Sequence, residues 1–150
     1  MYSNIFRGVI VLCAIVPTIS FSQILYSDGA TIVVTNGGAL FINGGLTMEN
    51  GSLLTNNGEL QITKNSSFAL PGTITINNGC NAEGSGDYWI EQNWINNGVF
   101  AANNSSVYLH GNTEQLITTT NNTITEFNTL VLSGNGTGID RRKSLVNVGA

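Results

Sequence analysis

Residues 39–60 read ALFINGGLTMENGSLLTNNGEL, and in and around them Asn-Gly recurs at Asn36-Gly37, Asn43-Gly44, Asn50-Gly51 and Asn57-Gly58, seven residues apart each time. Counting onward in sevens gives Asn65, Gly72, Gly79, Gly86 and Asn93. Glycine and asparagine enter the left-handed backbone region more readily than other residues. The beat therefore predicts a positive-φ turn at Gly37, Gly44, Gly51, Gly58, Asn65, Gly72 and Gly79, where asparagine should replace glycine at little cost. Two and four residues after the beat come Ala39 and Phe41, Leu46 and Met48, Leu53 and Thr55, Leu60 and Ile62, Ile74 and Ile76. One and three residues after it come mostly small or polar groups, with Leu40, Leu54 and Phe68 as exceptions. Such alternation predicts half-buried strands. A heptad also suits a coiled coil, but a glycine in each one would cost a helix about 1 kcal/mol per repeat.

Two arrangements of these short strands are consistent with the beat. Asn-Gly favours two-residue hairpins, which would give an antiparallel meander. Alternatively, each unit is one face of a parallel solenoid whose coils stack on a continuous core. A longer repeat favours the second: Thr35-Asn36-Gly37, Asn56-Asn57-Gly58 and Asn77-Asn78-Gly79 recur every 21 residues, and Asn96-Asn97-Gly98 follows after 19. The fold class expected is all-β, a parallel β-helix or β-solenoid with three-faced coils of about 21 residues rather than two-faced coils of 14. In that frame Asn36, Asn57 and Asn78 lie above one another, and their amides bond along the stack.

The start of the chain reads as an export signal. Met1–Arg7 carries one positive side chain, Gly8–Val16 is apolar, and Ser20 and Ser22 precede an expected cut before Gln23. Nine apolar residues fall short of the roughly 20 that span a bilayer, so no membrane span is expected after cleavage. The organisation expected is residues 1–22 signal peptide, 23–93 regular repeats and 94–150 looser repeats, ending in mid-repeat as a truncated array would. The formal net charge of the whole chain is −4, and the only basic run is Arg141-Arg142-Lys143, which argues against nucleic acid as a partner. After cleavage Cys80 stands alone and reads as a small buried or turn residue rather than a reactive thiol. Asn (21), Gly (18) and Thr (16) dominate the composition.

The beat weakens in Asn81–Asn93 (NAEGSGDYWIEQN), which reads as a loop or irregular coil. A looser pattern follows: Trp94-Ile95-Asn96-Asn97-Gly98-Val99-Phe100, Val107-Tyr108-Leu109-His110-Gly111, Gln115-Leu116-Ile117, then Phe127 to Leu132 and Gly134. This order resembles the repeat of secreted, Asn/Gly/Thr-rich β-helical surface proteins of the Bacteroidota, often exported by the type IX pathway and described as adhesins or gliding-associated proteins. The match covers residues 94–134 by motif and 31–79 by style. The resemblance implies a right-handed parallel β-helix with a structural or adhesive role at the outer cell surface, and it supplies no catalytic residue.

Signs of chemistry are few. His110 is the only histidine and sits in a strand pattern, there is no Gly-x-Ser-x-Gly elbow, and the Asn-Gly turns lack the aspartates of calcium-binding repeats. No metal and no cofactor are expected. Glu83, Asp87 and Glu91 stand beside Tyr88, Trp89 and Trp94, which makes those three aromatics the candidate glycan contacts. The function expected is an exported structural or adhesive module without catalytic activity, with surface glycans or other cell-surface proteins as partners. The alternative is a carbohydrate-active β-helix working near Glu83–Trp94.

Overall fold

The computed structural model describes residues 24–120, 124–134 and 143–148. The expected signal peptide and the Arg141-Arg142 pair lie outside the described residues. The described chain is a three-faced parallel β-solenoid of about five turns. The first coil is β1 (Ile24–Asp28), β2 (Thr31–Val34) and β3 (Ala39–Asn43), and the second is β4 (Gly45–Glu49), β5 (Leu53–Asn56) and β6 (Glu59–Thr63). The third is β7 (Thr73–Ile76), β8 (Asn81–Glu83) and β9 (Asp87–Ile90), and the fourth is β10 (Trp94–Asn96), β11 (Val99–Ala101) and β12 (Ser106–Leu109). Then come β13 (Gln115–Thr120), β14 (Thr129–Leu132) and β15 (Lys143–Val148). Strands pair in parallel with the strand one coil away, so the first face is β1-β4-β7-β10-β13-β15, the second β2-β5-β8-β11 and the third β3-β6-β9-β12-β14. The antiparallel meander is excluded for these strands. The stretch Asn81–Asn93, expected as a loop or irregular coil, contains β8 and β9 in regular register.

Inward residues stack in rows along the axis. The first face contributes Leu46, Ile74, Trp94 and Ile117, the second Leu54, Ala82 and Phe100, and the third Leu60, Tyr88 and Val107. All are buried. Where the second face offers only Ala82, the aromatics Tyr88, Trp94 and Phe100 fill the interior with mutual edge-to-face contacts at 4.8–5.8 Å. Cys80 is buried in the same core.

The corners come in two kinds, which corrects the expectation of one positive-φ turn at every beat. Open corners are closed by an ordinary β-turn bond: Gly38 N to Thr35 O (2.8 Å), Ser52 N to Glu49 O (3.1 Å) and Cys80 N to Asn77 O (3.0 Å). Their glycines, Gly37, Gly51 and Gly79, have φ of 74°, 79° and 80°. At tight corners the glycine is not left-handed, and a side chain would collide with backbone already there. A Cβ on Gly58 would fall on Gly38 O and Thr35 O, and one on Gly98 would sit 2.5 Å from Asn77 O and Cys80 O. Gly86 and Gly72 are crowded in the same way. Gly44 belongs with them by its inward phase, although its φ is 153°.

The corner type sets the phase of the next strand. After a tight corner the first inward residue is two positions on, as at Leu46, Leu60, Ile74, Tyr88 and Phe100. After an open corner the first inward residue of the strand is three positions on, as at Leu40, Leu54 and Ala82, and Ser52 and Cys80, one position on, share that phase. On β3 and β5 the expected assignment is therefore inverted: Leu40 and Leu54 point in, while Phe41 points out and is 66% exposed. An open corner adds one residue, and in a strand one residue reverses both sides.

Coil length varies for a separate reason. Ile24 pairs with Gly45, a step of 21 residues, but Gly45 pairs with Thr73, a step of 28, and Ile74 with Trp94, a step of 20. The long step holds one seven-residue unit that is looped out between β6 and β7. Asn65 and Leu70 bond to each other both ways (2.9 and 3.0 Å), enclosing a 3-10 turn at Ser66–Phe68. Asn65, expected as a positive-φ turn, has φ −110° and caps that turn with its side chain, while Ala69 takes the left-handed position. In the frame of the beat its inward positions are Ser67 and Ala69, which offer the core little apolar surface. Beyond it the frame moves by one face, so Asn78 lies over Asn50 and not over Asn57. The expected ladder of Asn36, Asn57 and Asn78 is absent; Asn57 Oδ1 accepts from Ser85 N instead (3.2 Å).

Two outcomes follow. Gly58→Ala and Gly58→Asn should each destabilise by about 1–3 kcal/mol through overpacking, while Gly37→Asn stays near wild type; urea unfolding of the three variants measures this. Deleting residues 65–71 should leave the parallel β-signal in circular dichroism intact, because Gly72 already packs against Lys64 N. Loss of that signal would show the excursion to be part of the stack.

Candidate functional site

The strand alternation separates the three candidate glycan contacts. Tyr88 and Trp94 face the interior with no exposed surface, and neither can meet a ligand. That outcome corrects the expectation for both residues. Trp94 packs edge-on against Tyr88, Phe100 and Phe127 (5.8, 4.8 and 5.4 Å), and its Nε1 has no hydrogen-bond partner among the described residues. Trp89, between two inward residues on β9, is the one that points outward. It lies in register between Gln61 and Tyr108 on the third face, in a row that starts at Phe41. Its ring stacks on Tyr108 at 3.9 Å and 5°, and His110 approaches it edge-on at 6.0 Å. One face of each stacked ring is therefore covered by the other.

The three carboxylates are likewise dispersed. Glu83 is outward on the second face and accepts from Thr55 Oγ1 one coil away (3.3 Å). Asp87 opens β9 on the third face, beside Glu59. Glu91 lies past the end of β9, where it meets Lys64 Nζ (3.3 Å) and accepts from Lys64 N (2.8 Å). Among the described residues no group of three or more His, Cys, Asp or Glu side chains could hold a metal ion. A shallow groove of about 380 Å³ runs up three coils along the corner between the second and third faces, with Glu59 and Asp87 on its rim.

Two buried asparagines escaped the sequence reading. Asn56 and Asn96 point inward at tight corners, where each side-chain oxygen accepts the glycine N–H two residues on: Gly58 N at 3.2 Å and Gly98 N at 3.1 Å. Asn56 Nδ2 donates to Asp87 O (2.9 Å) and Asn96 Nδ2 to Thr125 Oγ1 (2.8 Å). Each amide thus substitutes for the strand bonds that a corner interrupts. The available signal was the spacing Asn-x-Gly, present at Asn56-Asn57-Gly58 and Asn96-Asn97-Gly98. It does not discriminate by itself, because Asn77-Asn78-Gly79 has the same spacing and its Asn77 points outward to Glu49.

No protein-family model, curated protein or solved structure matches this chain. Among the described residues no helix is long and apolar enough to cross a membrane.

Tyr88 gives a pH dependence. Burial pushes its phenol well above the ordinary tyrosine range; the hydrogen bond with Asn56 lowers it, and the charge of Glu83 raises it. The folded state therefore keeps a proton that the unfolded chain releases near pH 10. Stability from this group is full below about pH 10 and falls as pH rises further. In an alkaline titration, Tyr88→Phe should flatten that fall, at a loss of about 1 kcal/mol at neutral pH for the bond from its hydroxyl to Glu83 O (3.0 Å). An unchanged alkaline profile would assign the fall to other groups.

Proposed function

We propose that the chain is an exported structural or adhesive surface module, a β-solenoid without catalytic activity, akin to the Bacteroidota surface proteins that its repeats resemble. One observation carries this reading: apart from Glu59 and Asp87 on the groove rim, the side chains that could do chemistry near the candidate site are engaged between consecutive coils. Trp89 lies on Tyr108, Glu91 on Lys64, Glu83 on Thr55, and the Asn50 and Asn77 amides on Asp28 and Glu49. Such contacts stiffen a rod and leave its faces to meet neighbours. The module acts at the outer cell surface or in the medium, without a cofactor, and its partners are surface glycans or other surface proteins.

The test uses residues 23–150 on a panel of polysaccharides and on cells, scored for binding and for chain shortening. Binding to cells without shortening is expected, unchanged when Glu83, Asp87 and Glu91 all become amides. Shortening that disappears in the triple amide would replace this reading with a carbohydrate-active β-helix. A product that keeps residues 1–22 on the membrane, seen by intact mass, would overturn the export step.

A further inference from the structure

Six Asn-Gly pairs lie in the described residues, and the two corner types divide them evenly. At Asn43-Gly44, Asn57-Gly58 and Asn97-Gly98 the glycine N–H is held, by Thr63 O (2.8 Å), Asn56 Oδ1 (3.2 Å) and Asn96 Oδ1 (3.1 Å). Backbone oxygens also crowd Gly58 and Gly98. At Asn36-Gly37, Asn50-Gly51 and Asn78-Gly79 the glycine N–H meets no acceptor among the described residues. There the space beside each glycine Cα is empty to 4 Å, and both members of each pair are exposed. A free glycine nitrogen and an exposed Asn-Gly pair thus coincide at the same three corners.

We propose that Asn36, Asn50 and Asn78 are sites of self-modification, at which the following glycine nitrogen displaces the side-chain amide. The glycine nitrogen forms a bond to the asparagine Cγ, the Cγ–Nδ2 bond breaks, and ammonia leaves with the glycine amide proton. Water then opens the five-membered succinimide to aspartate or isoaspartate. No oxidant or enzyme is needed, only solvent water. At the held pairs the same attack must first break the hydrogen bond that holds the glycine N–H.

The consequence is largest at Asn50. Its Nδ2 donates to Asp28 Oδ1 across the first two coils, beside Glu49. Conversion removes that donor and sets a third carboxylate against two others. Isoaspartate also adds a methylene to the backbone of a corner whose length sets the strand phase. Asn50 reacts after Asn36 and Asn78, because its amide must first leave Asp28.

The experiment ages the folded chain 23–150 at mildly alkaline pH and maps acid and isoaspartate by peptide mass spectrometry, with a parallel sample in urea. In the folded sample Asn43, Asn57 and Asn97 should convert roughly tenfold more slowly than Asn36 and Asn78, the factor that one ordinary net hydrogen bond supplies. In urea all six should convert at similar rates. Asn50→Gln should abolish conversion at that position alone, since its longer side chain no longer closes a five-membered ring. Amide hydrogen exchange gives a second measurement: fast at Gly37, Gly51 and Gly79, slow at Gly44, Gly58 and Gly98. Conversion at Asn57 or Asn97 as fast as at Asn36 in the folded chain would overturn the proposal, as would slow exchange at all six glycines.

Discussion

In this solenoid the strand backbone bonds run between coils, never along one. Each N–H and C=O of a strand looks up or down the axis to the strand one turn away. A coil is stable only if its strands superpose on those of its neighbour, and an unpaired backbone group inside the stack would cost about as much as a lost hydrogen bond. That demand explains why the sequence repeats where the composition is otherwise loose. It does not ask for the same residues at each tier, only for strands of equal phase and corners of compatible length. Leu46, Ile74, Trp94 and Ile117 differ in size yet occupy one row, because the neighbouring faces adjust their volume to match.

Corners are where this demand is met, and they explain both what the sequence revealed and what it hid. The seven-residue beat identifies the corners well, because both corner types use glycine. It does not distinguish a glycine chosen for its left-handed backbone, such as Gly51, from one chosen because no Cβ fits, such as Gly58. The distinction decides which side of the next strand is buried. Leu40 and Leu54, which look like exceptions to the alternation, are the residues that report it. They stand three positions after Gly37 and Gly51, and every inward residue that obeys the simpler rule follows a tight corner instead. The looped-out unit at Asn65–Pro71 kept the beat in register while leaving the stack, so a period alone counted it as a face.

The candidate site was less legible, for a related reason. Tyr88, Trp89 and Trp94 cluster in sequence, and clustered aromatics beside carboxylates suggest a sugar platform. In a solenoid, neighbours in sequence alternate between core and surface, whereas residues that share a surface patch come from different tiers. Trp89 shares its patch with Tyr108 and Gln61, not with Tyr88. The strand phase needed to see this follows from Gly86 being a tight corner, which places Tyr88 and Ile90 inward. The carboxylates separate for the same reason, Glu83 onto one face and Asp87 onto the next.

Superposition also determines where such a molecule can change. A residue added to a strand reverses everything after it, so additions fit only at corners, either as the single residue that makes an open corner or as larger units that return the chain to its starting point. The excursion between β6 and β7 is one: its ends are bonded to each other through Asn65 and Leu70, and it projects Phe68, 57% exposed, away from the rod. The faces, by contrast, carry contacts between tiers, such as Thr55 to Glu83 and Trp89 on Tyr108, beside the exposed Tyr26, Val33, Phe41 and Val99. A rod built this way holds its faces constant through register and leaves variation to the corners. Short closed loops then lie at the edges of the stack, and the strands keep them at fixed heights along the axis.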